Sequence, residues 1–256
     1  MRLVGITQPL KESNEFKSAL ANIKKNKFPL SIFGVSDSAR SYLINGLYEE
    51  IDKPFLVLTH SDMEAKNLYE DLSLYIPECF YFPTKEIVFY NIDAISSDLR
   101  WERLKVLKEI LKPGKKIIVS SIECLAPQYI PSEYYNNYSF EFRVGDIINL
   151  YDFSSKLIQC GYEKVELVEA KGQFSLRGGI IDIYPPTSME PFRIELFDDE
   201  VDSIRSFNTE SQRSIEKVDH VEIFPAKEII LTQDDLKYGY DCIKKDFNEM
   251  EQVFKK

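Results

Sequence analysis

The chain has 256 residues, 42 acidic against 32 basic, for a net charge of −10. That balance excludes a general phosphate-neutralising surface and confines any nucleic-acid contact to a patch. With 44% hydrophobic and 29% charged residues, the composition is globular and the length suits two domains. No apolar run approaches the roughly 18 residues a membrane span needs, and the stretch from Met1 to Pro9 lacks the apolar core of a signal peptide. No membrane partner and a cytoplasmic location are therefore expected. Cys79, Cys124, Cys160 and Cys242 lie far apart without a Cys-x-x-Cys pair, and only His60 and His220 could join them. Neither a metal site nor a disulfide framework is expected, and the thiols read as reduced and buried.

The first half alternates strand and helix signals. Residues 28–35 read as a short buried strand, with Asp37 as N-cap of a helix carrying Tyr42, Leu43 and Leu47. Residues 54–59 read as a second strand, and Ser61 with Glu64 has the spacing of a capping box. The helix that follows presents Ala65, Leu68, Leu72 and Ile76 as one apolar stripe. A further helix starts near Ser97 and Asp98, carries Leu99, Leu104, Leu107 and Leu111, and stops at Pro113-Gly114 before a strand at 116–119. Short apolar strands separated by helices predict a parallel, helix-covered sheet.

Between the first strand and its helix, Gly34-Val35-Ser36-Asp37-Ser38-Ala39-Arg40-Ser41 occupies the phosphate-loop frame G-x-x-x-x-G-K-[ST]. Ala39 replaces the second glycine and Arg40 the lysine, while Asp37 would set a carboxylate against polyphosphate charge at short range. Only Ser41 keeps its expected chemistry. The frame therefore reads as a degenerate, non-functional loop, and no acidic pair after a strand supplies the missing metal ligands. No cofactor and no catalytic residue are assigned.

From about Pro131 the texture changes. Residues 152–160 read as a short amphipathic helix closed by Gly161, and strand-like runs follow at 164–169, 173–177, 180–184, 192–197, 201–207 and 220–224. Asp198-Asp199-Glu200 makes a tight hairpin connection, and an antiparallel meander fits this spacing better than further βαβ units. Residues 236–254 read as a helix that ends without a cap, as in a fragment of something longer. The fold class expected is α/β: a P-loop-like parallel-sheet domain, degenerate in its loop, followed by a smaller α+β antiparallel domain. Alternation puts Phe174 and Leu176 on one face of their strand and Arg177 on the other, and Ile194 and Leu196 opposite Arg193 and Phe197. Two readings follow: an interface carrying Arg177, Arg193 and Phe197, or a solvated sheet on which the arginines pair with Glu195 or Asp182.

R-G-G-I-I-D-I-Y-P-P and the later P-F-R-I-E-L-F-D-D-E-V-D-S-I-R-S-F-N-x-x-S-Q-R-S resemble the UvrB-homologous amino-terminal module of bacterial transcription-repair coupling factor. The likeness is dense over 160–225 and looser but collinear over 28–122. UvrB itself departs in two respects: it keeps an intact Gly-rich loop, and it inserts a long tyrosine-rich β-hairpin for which residues 82–98 leave little room, although Tyr81, Phe89 and Tyr90 are present.

The resemblance implies a UvrB-like domain 1A at 1–128, domain 2 at 129–224 and the start of a 1B-like segment at 225–256. It implies that domain 2 binds UvrA, the damage-recognition ATPase of nucleotide excision repair, through Arg177, Arg193 and Phe197. The parent protein would be an ATP-driven DNA translocase that releases stalled RNA polymerase, its motor and polymerase contacts lying beyond Lys256, with a carboxy-terminal domain masking the UvrA face. The leading expectation is a non-catalytic adaptor. The alternatives are a divergent UvrB-type ATPase or helicase fragment holding nucleotide through Ser41 and Arg40, and a structural spacer. As outward-facing residues, Arg177, Arg193 and Phe197 are each expected to tolerate truncation to alanine without loss of folding.

Overall fold

In the computed structural model, which describes residues 6–85 and 97–254, the chain divides into two units, Met1–Gln128 and Tyr129–Lys256. In the first, α1 (Gln8–Glu12) and α2 (Asn14–Lys24) precede α3 (Asp37–Glu50), β1 (Phe55–Thr59), α4 (Asp62–Ser73), β2 (Cys79–Tyr81), α5 (Ser97–Leu111) and β3 (Ile117–Ser121). The sheet order is β1-β3-β2, and both pairings are parallel. Every residue of the central strand β3 is buried, as its apolar run requires. Ala65, Leu68, Leu72 and Ile76 pack with Tyr48, Ile117 and Val119 into one core, so the predicted stripe of α4 faces the sheet. The hydroxyl of Ser61 caps α4 by accepting from the Glu64 amide at 3.3 Å, but the Glu64 carboxylate turns to Arg40 and His60. One arm of the expected capping box is thus spent on tertiary pairing.

The predicted strand at 28–35 does not form. Those residues are without regular structure, and Phe28, Ile32 and Phe33 are exposed. Apolar content alone cannot make a strand where no ladder partner is offered, and Pro29 withholds an amide in any case. Edge strand β1 consequently leaves Leu56 and Leu58 exposed. The N-cap of α3 is Ser36, not Asp37, which is the first helical residue.

The second unit runs through α6 (Ser132–Asn137), β4 (Phe140–Arg143), α7 (Leu150–Gln159), β5 (Glu163–Lys164), β6 (Gln173–Arg177), β7 (Ile180–Ile183), β8 (Phe192–Phe197), β9 (Glu200–Phe207), β10 (Ser214–Lys217), β11 (His220–Ile223) and α8 (Gln233–Phe254). Six strands pair in the order β10-β9-β8-β7-β6-β5, antiparallel except for β5 with β6. Strands β4 and β11 form a separate antiparallel pair. Asn149 caps α7 by accepting from the Asp152 amide at 3.1 Å, and Gly161 ends it at φ 90°. Helix α7 buries Phe153 and Leu157 against Phe174, Ile181, Ile183, Ile194 and Ile204, which are the inward set of the period-two pattern.

The run predicted at 164–169 ends as a strand at Lys164. Beyond it the amides of Glu169 and Ala170 donate to the side-chain oxygen of Gln173 at 3.0 and 2.9 Å. That local bonding competes with a ladder and turns the chain. Among the described residues no helix is long and apolar enough to cross a membrane, and no cluster of His, Cys, Asp and Glu could hold a metal ion.

Candidate functional site

The polar face of the six-stranded sheet is organised in rows set by strand register. Ser175, Asp182, Arg193 and Arg205 lie opposite one another on successive strands, and Arg177, Ile180, Glu195 and Ser203 form the next row. The β6–β7 connection has glycine twice for two different reasons. Gly178 sits at φ 60°, and a Cβ on Gly179 would lie 2.9 Å from the Leu196 carbonyl oxygen, whose own amide donates to the Gly179 carbonyl at 2.7 Å. The turn thereby sits directly beside the end of β8, where Phe197 is 80% exposed.

Asp182, between two core isoleucines, is fully buried and charged groups surround it. Arg193 binds it in a fork, Nε to Oδ1 at 2.6 Å and Nη2 to Oδ2 at 2.9 Å, and Arg177 also donates to Oδ2. Bidentate geometry of this kind is strong and directional. Arg193 lies 4.8 Å from the centroid of the Phe207 ring, and its Nη1 donates to the Gln212 backbone carbonyl at 3.3 Å. Bonding to Asp182 raises the Arg193 pKa further above its usual value. Gln212 is held by its own side-chain amide, which donates to the carbonyls of Val168 and Thr209 at 3.2 and 2.7 Å. Asn208 stabilises that loop by accepting from the amides of Glu210 and Ser211. The F-N-x-x-S-Q-R-S segment is therefore a clamp that holds Arg193 in place.

Arg177, Arg193 and Phe197 do share a face, but they are not equivalent. The Arg193 side chain is 17% exposed and the Arg177 side chain 48%. The pairing with Asp182 means that both arginines have an internal partner, and only Phe197 projects freely. Given this pairing, truncation of Arg193, unlike that of Phe197, is expected to affect folding. Glu195, by contrast, is engaged by Arg205 at 3.0 Å and Ser203 at 2.7 Å. Sequence reading undervalued Asp182 and missed Gln212; the available signal was an ionisable residue set inside the apolar run Ile181-Asp182-Ile183.

At the phosphate frame, a groove of about 640 Å³ is lined by Phe33, Gly34, Val35, Arg40, Thr59, His60 and Glu64 among others. Arg40 is bound to Glu64, whose carboxyl that contact holds below its usual range. Ser41 is buried. At the carboxyl ends of the strands, Asp62 accepts from Tyr81 at 2.5 Å and from the Thr84 amide and hydroxyl at 3.0 and 2.9 Å. The polar groups where an open α/β sheet usually meets a ligand are thus bonded to one another. Of the aromatic residues considered for a DNA-clamping hairpin, Tyr81 ends β2 and stacks on Tyr69, whereas Phe89 and Tyr90 lie outside the described residues.

Residues 140–229, which span most of the second unit's sheets, match the family model of the UvrB interaction domain. The fold and this match define the class: a mixed α/β module of UvrB homology. The chain is also 38% identical to the transcription-repair-coupling factor of Bacillus subtilis (strain 168) over 87% of its own length and 19% of that protein's. With the transcription-repair-coupling factor of Staphylococcus aureus (strain USA300) it shares 32% identity over 98% of its length and 23% of the relative's. The chain belongs to the transcription-repair-coupling-factor family, as its amino-terminal UvrB-homology module. It spans about a fifth of the length of these relatives.

Proposed function

We propose that the second unit is a docking module for UvrA and that Phe197 is its central anchor, with Arg177 beside it. One observation carries this reading: a large aromatic side chain is 80% exposed on a strand end, while the two arginines of the same face are already paired with Asp182. Such a residue contributes nothing to the core and suits the desolvated centre of an interface, where aromatic and Arg side chains dominate. Arg193 acts through Asp182, setting the charge and shape of the face. The first unit is a UvrB-like domain 1A whose phosphate loop is non-catalytic, since Glu64 engages Arg40 and Ser41 is buried. The residues beyond 224 begin a 1B-like segment. In the parent protein this module brings UvrA to RNA polymerase stalled at a lesion, while ATP-driven translocation on DNA and polymerase contact belong to other domains.

Calorimetric titration of purified UvrA into the chain tests the reading. Phe197→Ala is expected to cost about 2 kcal/mol or more, over tenfold in affinity, with an unchanged melting temperature. A folded Phe197→Ala variant that binds UvrA like the parent overturns it.

A further inference from the structure

We infer that Ile147, in the connection between β4 and α7, is a second apolar anchor of the same docking face; the inference rests on the UvrA-docking reading above. Glu200 is paired with Phe197 across the β8–β9 turn and, on its other side, with Ile147 through an isolated antiparallel bridge. Residues directly opposite in antiparallel pairs project from the same face at Cβ steps of roughly 5 Å. Phe197, Glu200 and Ile147 therefore form one row at the end of the sheet, with the two apolar side chains about 10 Å apart across the carboxylate. Neighbouring positions confirm the facing: Ile148 and Val201 are buried in the core at 3% and 1% exposure, while Ile147 is 72% exposed.

This exposed isoleucine is held in place. The Ile148 amide donates to the Asp199 carbonyl, the Gly145 amide to the Val201 carbonyl and the Val201 amide to the Asp146 carbonyl, each at 2.8 Å. Asp146 further accepts from the Arg143 amide at 2.7 Å. With the backbone on both sides of Ile147 fixed by these bonds, only side-chain rotamers remain to be ordered when the residue is covered, which lowers the cost of association. Ile147 lies 50 residues from Phe197 in sequence and outside the arginine-bearing segments, so only strand register joins the two. The partner surface that fits this ridge is an apolar strip of UvrA long enough to take both side chains, with a basic group opposite Glu200.

The experiment measures UvrA binding by calorimetry for Ile147→Ala, Ile147→Glu, Phe197→Ala and a control, Met189→Glu, each checked for folding by thermal melting. Met189 is 80% exposed but lies in the β7–β8 connection, at the opposite end of the strands. Ile147→Glu is expected to weaken binding at least tenfold and Ile147→Ala about threefold or more, with Met189→Glu unchanged. If both Ile147 variants bind like the parent while Phe197→Ala is weakened, this inference fails and the docking reading stands. If Phe197→Ala also binds like the parent, or the parent chain does not bind UvrA, the docking reading fails and takes the inference with it. Should Ile147→Glu lower the melting temperature, Ile147→Ala alone decides, and parental affinity in that variant overturns the proposal.

Discussion

Arg193 and Phe197 stand four residues apart on one strand and share its face, yet their substitutions have opposite expected consequences. Removing the Phe197 ring, 80% exposed, uncovers little. Removing the Arg193 guanidinium leaves the fully buried Asp182 carboxylate with only the half-exposed Arg177. Breaking a buried pair from one side costs about 3 to 5 kcal/mol, because an uncompensated charge stays behind. Arg193→Ala should therefore melt well below the parent. Replacing Asp182 with Asn in that background should recover part of the loss, which thermal melting will measure; an Arg193→Ala variant as stable as the parent would show that Arg177 suffices alone. The thiols give a second test. Burial pushes Cys79 and Cys160 up to about 12, and Cys124 is also buried, leaving Cys242 the most accessible. Thiol titration of the folded chain should therefore label Cys242 first. Because the folded state holds the Cys79 and Cys160 protons more tightly, their stabilisation is fully present below the unfolded thiol pKa. It is lost as pH rises from about 9 towards 12, so denaturant midpoints should fall across that window.

Helix α8 shows what a clear periodic signal does and does not convey. Its Leu236, Tyr240, Ile243, Phe247 and Met250 recur at alternating steps of four and three residues, and all five are exposed. The pattern made the helix legible, but exposure along that face means that local propensity carries much of its stability. Gly239 interrupts it without need: the glycine has no unusual φ, and a Cβ there meets nothing within 4 Å. Gly239→Ala should stabilise the helix by roughly 0.5 to 1 kcal/mol, read as a several-fold rise in amide-exchange protection confined to α8. Unchanged protection would mean that tertiary contacts already fix the helix. The segment at 28–35 is the converse case, since its apolar residues read as a strand and no neighbouring strand takes its hydrogen bonds. Strand formation is a pairing property, whereas a helix satisfies its own backbone.

For the whole molecule, the charge of −10 and the internally bonded polar groups of the first unit argue the same way about nucleotide. ATP would have to displace Glu64 from Arg40 and face that carboxylate at short range. Titration with magnesium and ATP is expected to give no specific dissociation constant at or below about 10 µM, which corresponds to roughly −7 kcal/mol. Tighter binding would restore the enzymatic alternative.

Sequence alone determined the class of each unit, because strand and helix periods, the glycine-bearing turns and the apolar faces carrying Phe174, Leu176, Ile194 and Leu196 depend on local spacing. It also placed Arg177, Arg193 and Phe197 on one face, since period two is a local rule. Tertiary structure decided which of them is free. The burial of Asp182, the delivery of Gln212 by a loop closed on Val168, and the bridge that sets Ile147 beside Glu200 join residues far apart along the chain. Strand register and loop closure bring them together, and no pattern within a short window of sequence encodes that proximity.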